Sequence, residues 1–262
     1  MSIKSKVLSV AATLTLLGGV AAAGTLTAGP AKAATPSCDN FLFTSNCINV
    51  FSAHFGPSFL LDVFRQGARV GQPIILFRAS NTDPALDFTY DFQGTVSETA
   101  SLGMVSPAVV CHYGGGCTDP NHPGLKNADL NAFELEYAPF GVESGLCVGT
   151  AVTPVNGTPV SLQPCGVSGK TIWIEDCKDV GDIAIVGKPP VEVPTCTLAN
   201  NDFIPLINGA TTNFSHPYVL TYPQNGFPTD LPRPQLFTRT LQKFATGNIF
   251  ENQLWASFTG QA

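Results

Sequence analysis

Asn131-Ala132-Phe133-Glu134-Leu135, then Gly145-Leu146-Cys147-Val148-Gly149, then Gly157-Thr158-Pro159-Val160-Ser161-Leu162-Gln163, then Ile172-Trp173-Ile174-Glu175: these pieces, taken in order, decide the fold. The first alternates apolar and polar residues, as a half-buried strand does. Gly157 marks the turn between two further strands. A large aromatic, Trp173, closes the unit.

The same order occurs upstream. Asn46-Cys47-Ile48-Asn49-Val50, Ala53, Phe55 and Gly56 stand opposite Asn131 to Leu135, Ala138, Phe140 and Gly141. Leu60-Leu61-Asp62-Val63 matches Leu146-Cys147-Val148-Gly149, and Gly71-Gln72-Pro73-Ile74-Ile75-Leu76-Phe77 matches Gly157 to Gln163. Asp87-Phe88-Thr89-Tyr90 supplies the closing aromatic, and Asn252-Gln253-Leu254-Trp255-Ala256-Ser257-Phe258 supplies a third. Units of this size cannot bury an apolar face alone, so the repetition predicts one all-β domain closing around a shared core. Its units are expected at about 46–92, 131–177 and 202–260 of a domain spanning 34–262.

The first 33 residues carry Lys4 and Lys6, an apolar run from Val7 to Val20, and small residues ending Ala31-Lys32-Ala33. That layout predicts a secretory signal peptide, with an extracellular destination after cleavage. The apolar run is short for a membrane span. The Ala-rich leader points to a bacterial source of actinobacterial type.

The chain has 13 basic and 19 acidic residues, and loss of Lys4, Lys6 and Lys32 would leave 10 against 19, a formal charge of −9. A surface of that sign does not attract nucleic acid or an anionic membrane. With 25 Gly, 21 Pro and 12% charged residues, the composition favours turns and short strands. Between the first two units, one strand is expected around Val105 to Cys111, followed by a long loop through His112 to Gly124. Lys178 to Asn201, with its Gly187-Lys188-Pro189-Pro190 run, is expected to cross the surface extended.

The quoted residues resemble the ricin-type lectin domains, whose β-trefoil fold joins three pseudo-equivalent four-stranded units. That family's unit runs Leu-Cys-x-Asp-x, a Gly turn, a strand ending near Cys, then Gln-x-Trp. Gly145-Leu146-Cys147, Asn156-Gly157-Thr158, Leu162-Gln163-Pro164-Cys165 and Ile172-Trp173 follow that order, and Asn252-Gln253-Leu254-Trp255 repeats its end. The chain departs from the pattern where Leu86, and Lys170 or Thr171, replace the Gln of Gln-x-Trp.

The resemblance implies a disulfide between Cys147 and Cys165, a sugar-binding Asp at Asp62, and a stacking aromatic at Phe77. The amides that complete such a pocket fall at Ile75 and Ala85, which cannot supply them. In the second unit Gly149 holds the place of the Asp, beside Ser161 and Gln163. In the third, Asn252 and Gln253 match the family's amides, with Asp230 a candidate acid in a loop. Phe88, Trp173 and Trp255 are expected as core aromatics.

Eight cysteines in an exported chain predict disulfides. Short separations suggest Cys38 with Cys47 and Cys111 with Cys117, leaving Cys177 with Cys196. Cys111, His112, Cys117 and His122 could instead ligate zinc, but export favours the disulfide, so no metal or cofactor is expected. Glu134 with Glu136, and Asp87, Thr89 and Asp91, lie two apart on strands. They read as exposed acidic faces rather than as the carboxylate pair of a glycosidase. No nucleophile-elbow, His-Glu-x-x-His or phosphate-loop motif occurs. Asn156-Gly157-Thr158 and Asn213-Phe214-Ser215 match the glycosylation pattern by chance in such a source. The expected function is a secreted, non-catalytic carbohydrate-binding module, with Asp62, Phe77, Asn252 and Gln253 as ligand-binding residues. The alternative is a trefoil scaffold that contacts a protein through its loops.

Overall fold

The computed structural model describes residues 48–80, 83–114, 130–166, 168–175, 203–213, 215–224, 228, 233–245 and 249–259. The expected leader, Cys38, Cys47, Cys117, His122, Cys177, Cys196, Asp230 and the crossing from Lys178 to Asn201 lie outside the described residues.

Four strands come before the first insertion: β1 (Ile48–Ser52), β2 (Phe59–Val63), β3 (Ile74–Arg78) and β4 (Phe88–Thr95). Two helices follow, α1 (Val96–Ser101) and α2 (Pro107–Gly114). Then come β5 (Asn131–Tyr137), β6 (Leu146–Thr150), β7 (Thr158–Pro164) and β8 (Ile172–Glu175). The last four are β9 (Leu206–Asn208), β10 (Tyr218–Thr221), β11 (Phe237–Thr240) and β12 (Trp255–Thr259).

The pairings β1–β4, β4–β5, β5–β8, β8–β9 and β12–β1 are all antiparallel. The bridge between Ile204 and Trp255 joins the approach to β9 with β12, so the strands form a closed ring. Closure leaves this part of the sheet without an open edge, which removes a template for aggregation.

One register runs around the ring. Phe88 pairs with Ile48 and Tyr137, Trp173 with Phe133 and Asn208, and Trp255 with Ile204 and Ser52. Each aromatic therefore faces a residue of its own group of four strands and, on the other side, a residue of the next group. All three are buried in a single cluster with Val50, Leu61, Leu76, Val148, Leu162 and Leu220. Replacing a buried aromatic of this size by alanine costs about 3–5 kcal/mol.

The hairpins β2–β3, β6–β7 and β10–β11 meet one another at the bridges Pro73↔Ser161 and Ile75↔Gln235 and at the pair Pro159↔Phe237. Ile74, Val160 and Leu236 occupy matching places there, each fully buried. Leu236 N donates to Ile74 O at 2.8 Å and Val160 N to Leu236 O at 2.9 Å, so the three hairpins are stitched through backbone as well as side chains. Cys147 and Cys165 are disulfide-bonded across the second hairpin, with Cα atoms 5.0 Å apart.

Two expectations are corrected. Val105 to Cys111 is not a strand: helix α2 begins at Pro107, and Ser106 Oγ accepts from Val109 N at 3.2 Å. A serine cap followed by proline is a helix start, and it overrides the β preference of Val109-Val110. Val109 then packs with Val96, Ile172 and Ile207. Nor are Glu134 and Glu136 an exposed acidic face, since they are 0% and 2% exposed. Every residue of β5 from Ala132 to Tyr137 is buried, so side chains on both its faces are enclosed.

The buried acids are hydrogen-bonded, as buried charge requires. Glu134 accepts from Gly166 N at 3.0 and 3.1 Å and from the Thr171 hydroxyl. Glu136 accepts from Gly145 N, and Asp87 Oδ2 from Phe140 N at 3.0 Å. Burial raises the pKa of both glutamates, opposed by these donors and reinforced by neighbouring Asp91.

Candidate functional site

The first strand of each group pairs with the second in the same way: Phe51 with Leu60, Glu136 with Cys147, Ile207 with Val219. Two residues further on stand Asp62, Gly149 and Thr221, facing Ile75, Ser161 and Phe237 across their hairpins. This register shifts the match between β2 and β6 by one residue from the Leu60/Leu146 alignment. It also assigns the third group's equivalent of Asp62 to Thr221.

Asp62 is 2% exposed, on a strand rather than at a solvated end. Burial pushes its carboxyl up to about 7, with Asp83 adding to the effect and Arg233 opposing it. Phe77 shares its face of the hairpin, two pairs along, opposite Leu60. The ring is half-buried, and the Arg233 guanidinium lies 3.7 Å from its centroid. That cation–π contact covers a face on which a sugar could stack. Ile75 and Ala85, where amides would complete the pocket, are buried.

In the second group a Cβ on Gly149 would come within 2.7 Å of Lys170 O, so the site has no room for an aspartate. Gln163 Nε2 donates to Ser161 Oγ at 2.8 Å. The cysteine sulfurs near Asp91 are those of the Cys147–Cys165 disulfide and are not metal ligands.

In the third group Gln253 is fully buried and its amide is committed inward. Its Oε1 accepts from Gln242 N at 2.7 Å, and its Nε2 donates to Thr221 Oγ1 at 3.2 Å and Thr240 O at 3.1 Å. Gln253 thus ties the ends of β10 and β11 to the turn before β12. Its neighbour differs. Asn252 donates to Tyr222 O at 2.7 Å, while its Oδ1 is buried without a hydrogen-bond partner.

Asn252 lines a cleft of about 400 Å³, together with His54, Gln224, Phe244, Phe250 and Glu251. Phe244 and Phe250 stack at 4.1 Å with their planes 15° apart, and Phe244 is 40% exposed. His54 Nδ1 lies 3.3 Å from Glu251 Oε2, linking the turn after β1 to the turn before β12. An aromatic surface beside carboxylate and amide groups can pack against the apolar face of a sugar ring while accepting from its hydroxyls. Sequence reading singled out Asn252 but none of the other five residues. The signal available was the pair Phe244 and Phe250 just ahead of Glu251-Asn252, but nothing local connects that run to His54.

Neither a scan against protein-family models nor a search of curated proteins finds a match. Among solved structures the chain is similar to the designed three-fold symmetric protein ThreeFoil, at 12% identity and a TM-score of 0.45, covering 81% of this chain and 97% of that one. It is similar also to the Rhizoctonia solani agglutinin, at 13% identity and TM-score 0.41, covering 83% and 96%. A third is the SDF2-like protein from Arabidopsis thaliana, at 8% and 0.41, covering 82% and 93%. Likenesses this distant carry no weight, and the description of the fold rests on the strand pairings given above.

Proposed function

We propose that the chain is a β-trefoil of three pseudo-repeats of the ricin-type lectin kind, exported and non-catalytic, and that it binds carbohydrate. The supporting observation for the fold is the common register around the ring, in which Phe88, Trp173 and Trp255 each meet equivalent partners. The observation that carries the function is the cleft beside Asn252, where stacked phenylalanines adjoin groups able to accept from hydroxyls. The Asp62 and Phe77 position is secondary to it, being occluded by Arg233.

The test is a glycan array with Ala34–Ala262, followed by titration of the best ligand into Phe244→Ala. Retained glycans with affinity lost in the variant support this reading; silence across simple and cell-wall sugars sinks it. A second reading, docking to a protein, is favoured by Phe140, which is held at φ +58 and 49% exposed beside Val142, 67% exposed. Capture of one defined protein partner that Phe140→Ser abolishes would support it.

A further inference from the structure

The cleft sets a carboxylate beside a pair of stacked aromatic rings. Glu251 presents a carboxylate, which only accepts, whereas the Asn252 amide is turned inward, with its Oδ1 buried and its Nδ2 donating to Tyr222 O. Among the described residues that line it there is no lysine or arginine, and His54, 3.3 Å from Glu251, is the one among them able to carry positive charge. The faces of Phe244 and Phe250 are regions of negative potential and attract a cation held over them. The chain as a whole is formally at −6, so no opposing field repels a cationic ligand.

We infer that the cleft selects polysaccharide built from amino sugars with free ammonium groups over the neutral or N-acetylated equivalent. This rests on the carbohydrate-binding reading and sharpens it. Glu251 accepts from the ammonium group, the phenylalanine pair packs on the ring's apolar face, and Gln224 reaches a neighbouring hydroxyl. The His54 imidazole, whenever protonated, competes for the same carboxylate.

The experiment is calorimetric titration of the mature protein with β-1,4-linked glucosamine oligomers, with amines protonated, and with the same oligomers fully N-acetylated. The expected preference for the amino form is about fivefold, the scale of one partly exposed ion pair. It shrinks as added salt screens the pair. Glu251→Gln, nearly isosteric and checked for folding by its Tm, brings the ratio of affinities to about one. His54→Gln raises the ratio, because it removes the competing cation. Equal affinity for both oligomers, or a preference that survives Glu251→Gln, overturns this inference while leaving carbohydrate binding intact. Failure of every glycan to bind instead overturns the carbohydrate reading itself.

Discussion

The indole N–H of Trp255 donates to the backbone carbonyl of Leu220 at 2.9 Å. Trp173 makes the same bond to Val148, also at 2.9 Å, and Val148 and Leu220 hold equivalent places one residue before Gly149 and Thr221. A buried indole needs such a partner, and here it locks the closing strand of a group to its hairpin. Phe88, without a donor, fills the first group's position by packing alone.

Trp255→Phe should therefore leave the buried Leu220 carbonyl short of a donor. The expected cost is about 1–3 kcal/mol, and Trp173→Phe should cost a similar amount through Val148. Urea denaturation of each variant checks this. A change below a few tenths of a kcal/mol in both would mean that packing alone accounts for the two indoles.

The buried acids set the direction of pH dependence. Asp62 ionises near 3.8 when unfolded and near 7 when folded, so between those values the native state binds more protons than the unfolded one. Stability falls as pH rises through that window, by roughly 4 kcal/mol at the outside for this group. The raised Glu134 and Glu136 act in the same sense. Tm should be higher at about pH 5 than at about pH 8, and Asp62→Asn should flatten part of that slope. A Tm that climbs steadily with pH across this range would contradict the assignment.

Arg233 opposes the upward pull on Asp62. Arg233→Ala should raise the Asp62 pKa further and expose the Phe77 ring face. Carboxyl-carbon NMR titration reads the first effect. A carboxyl that titrates unchanged in the variant would show that the guanidinium exerts no field on it.

Gly149→Ala introduces a Cβ that meets Lys170 O at 2.7 Å and Thr171 Cα at 3.0 Å, against backbone that cannot swing away. The expected loss is about 1–3 kcal/mol, typical of overpacking. Wild-type stability in this variant would mean that the second group has room for the acid it lacks.

Removing the Cys147–Cys165 bridge with paired serines should cost about 2–4 kcal/mol, because it frees a closed loop in the unfolded chain. Denaturation midpoints with and without the pair measure it.

Much of the scaffold was legible because its signals are local. Alternation in Phe133 to Leu135, a turn glycine at Gly157 held at φ +85, and a large aromatic near the start of each closing strand all lie within a few residues of what they specify. Helix α2 replaces the expected strand for a local reason as well: the Ser106 cap followed by Pro107, and not the β preference of Val109-Val110, decides the backbone. The site was less legible. Asn252 and Gln253 are adjacent, yet one lines a cleft and the other is a fully bonded internal tie.

The amino-acid sequence by itself determined most strands of the first eight and the large aromatics Phe88, Trp173 and Trp255 near the start of their strands, since period-two burial and turn chemistry act over a few residues. Only the tertiary structure decided which side chains meet. Closing the ring brings His54 to Glu251 across 197 residues, lays Arg233 over Phe77, and encloses Glu134 on a strand whose pattern reads as half-exposed. Burial and charge at those places depend on neighbours supplied by distant segments, and no local periodicity encodes them.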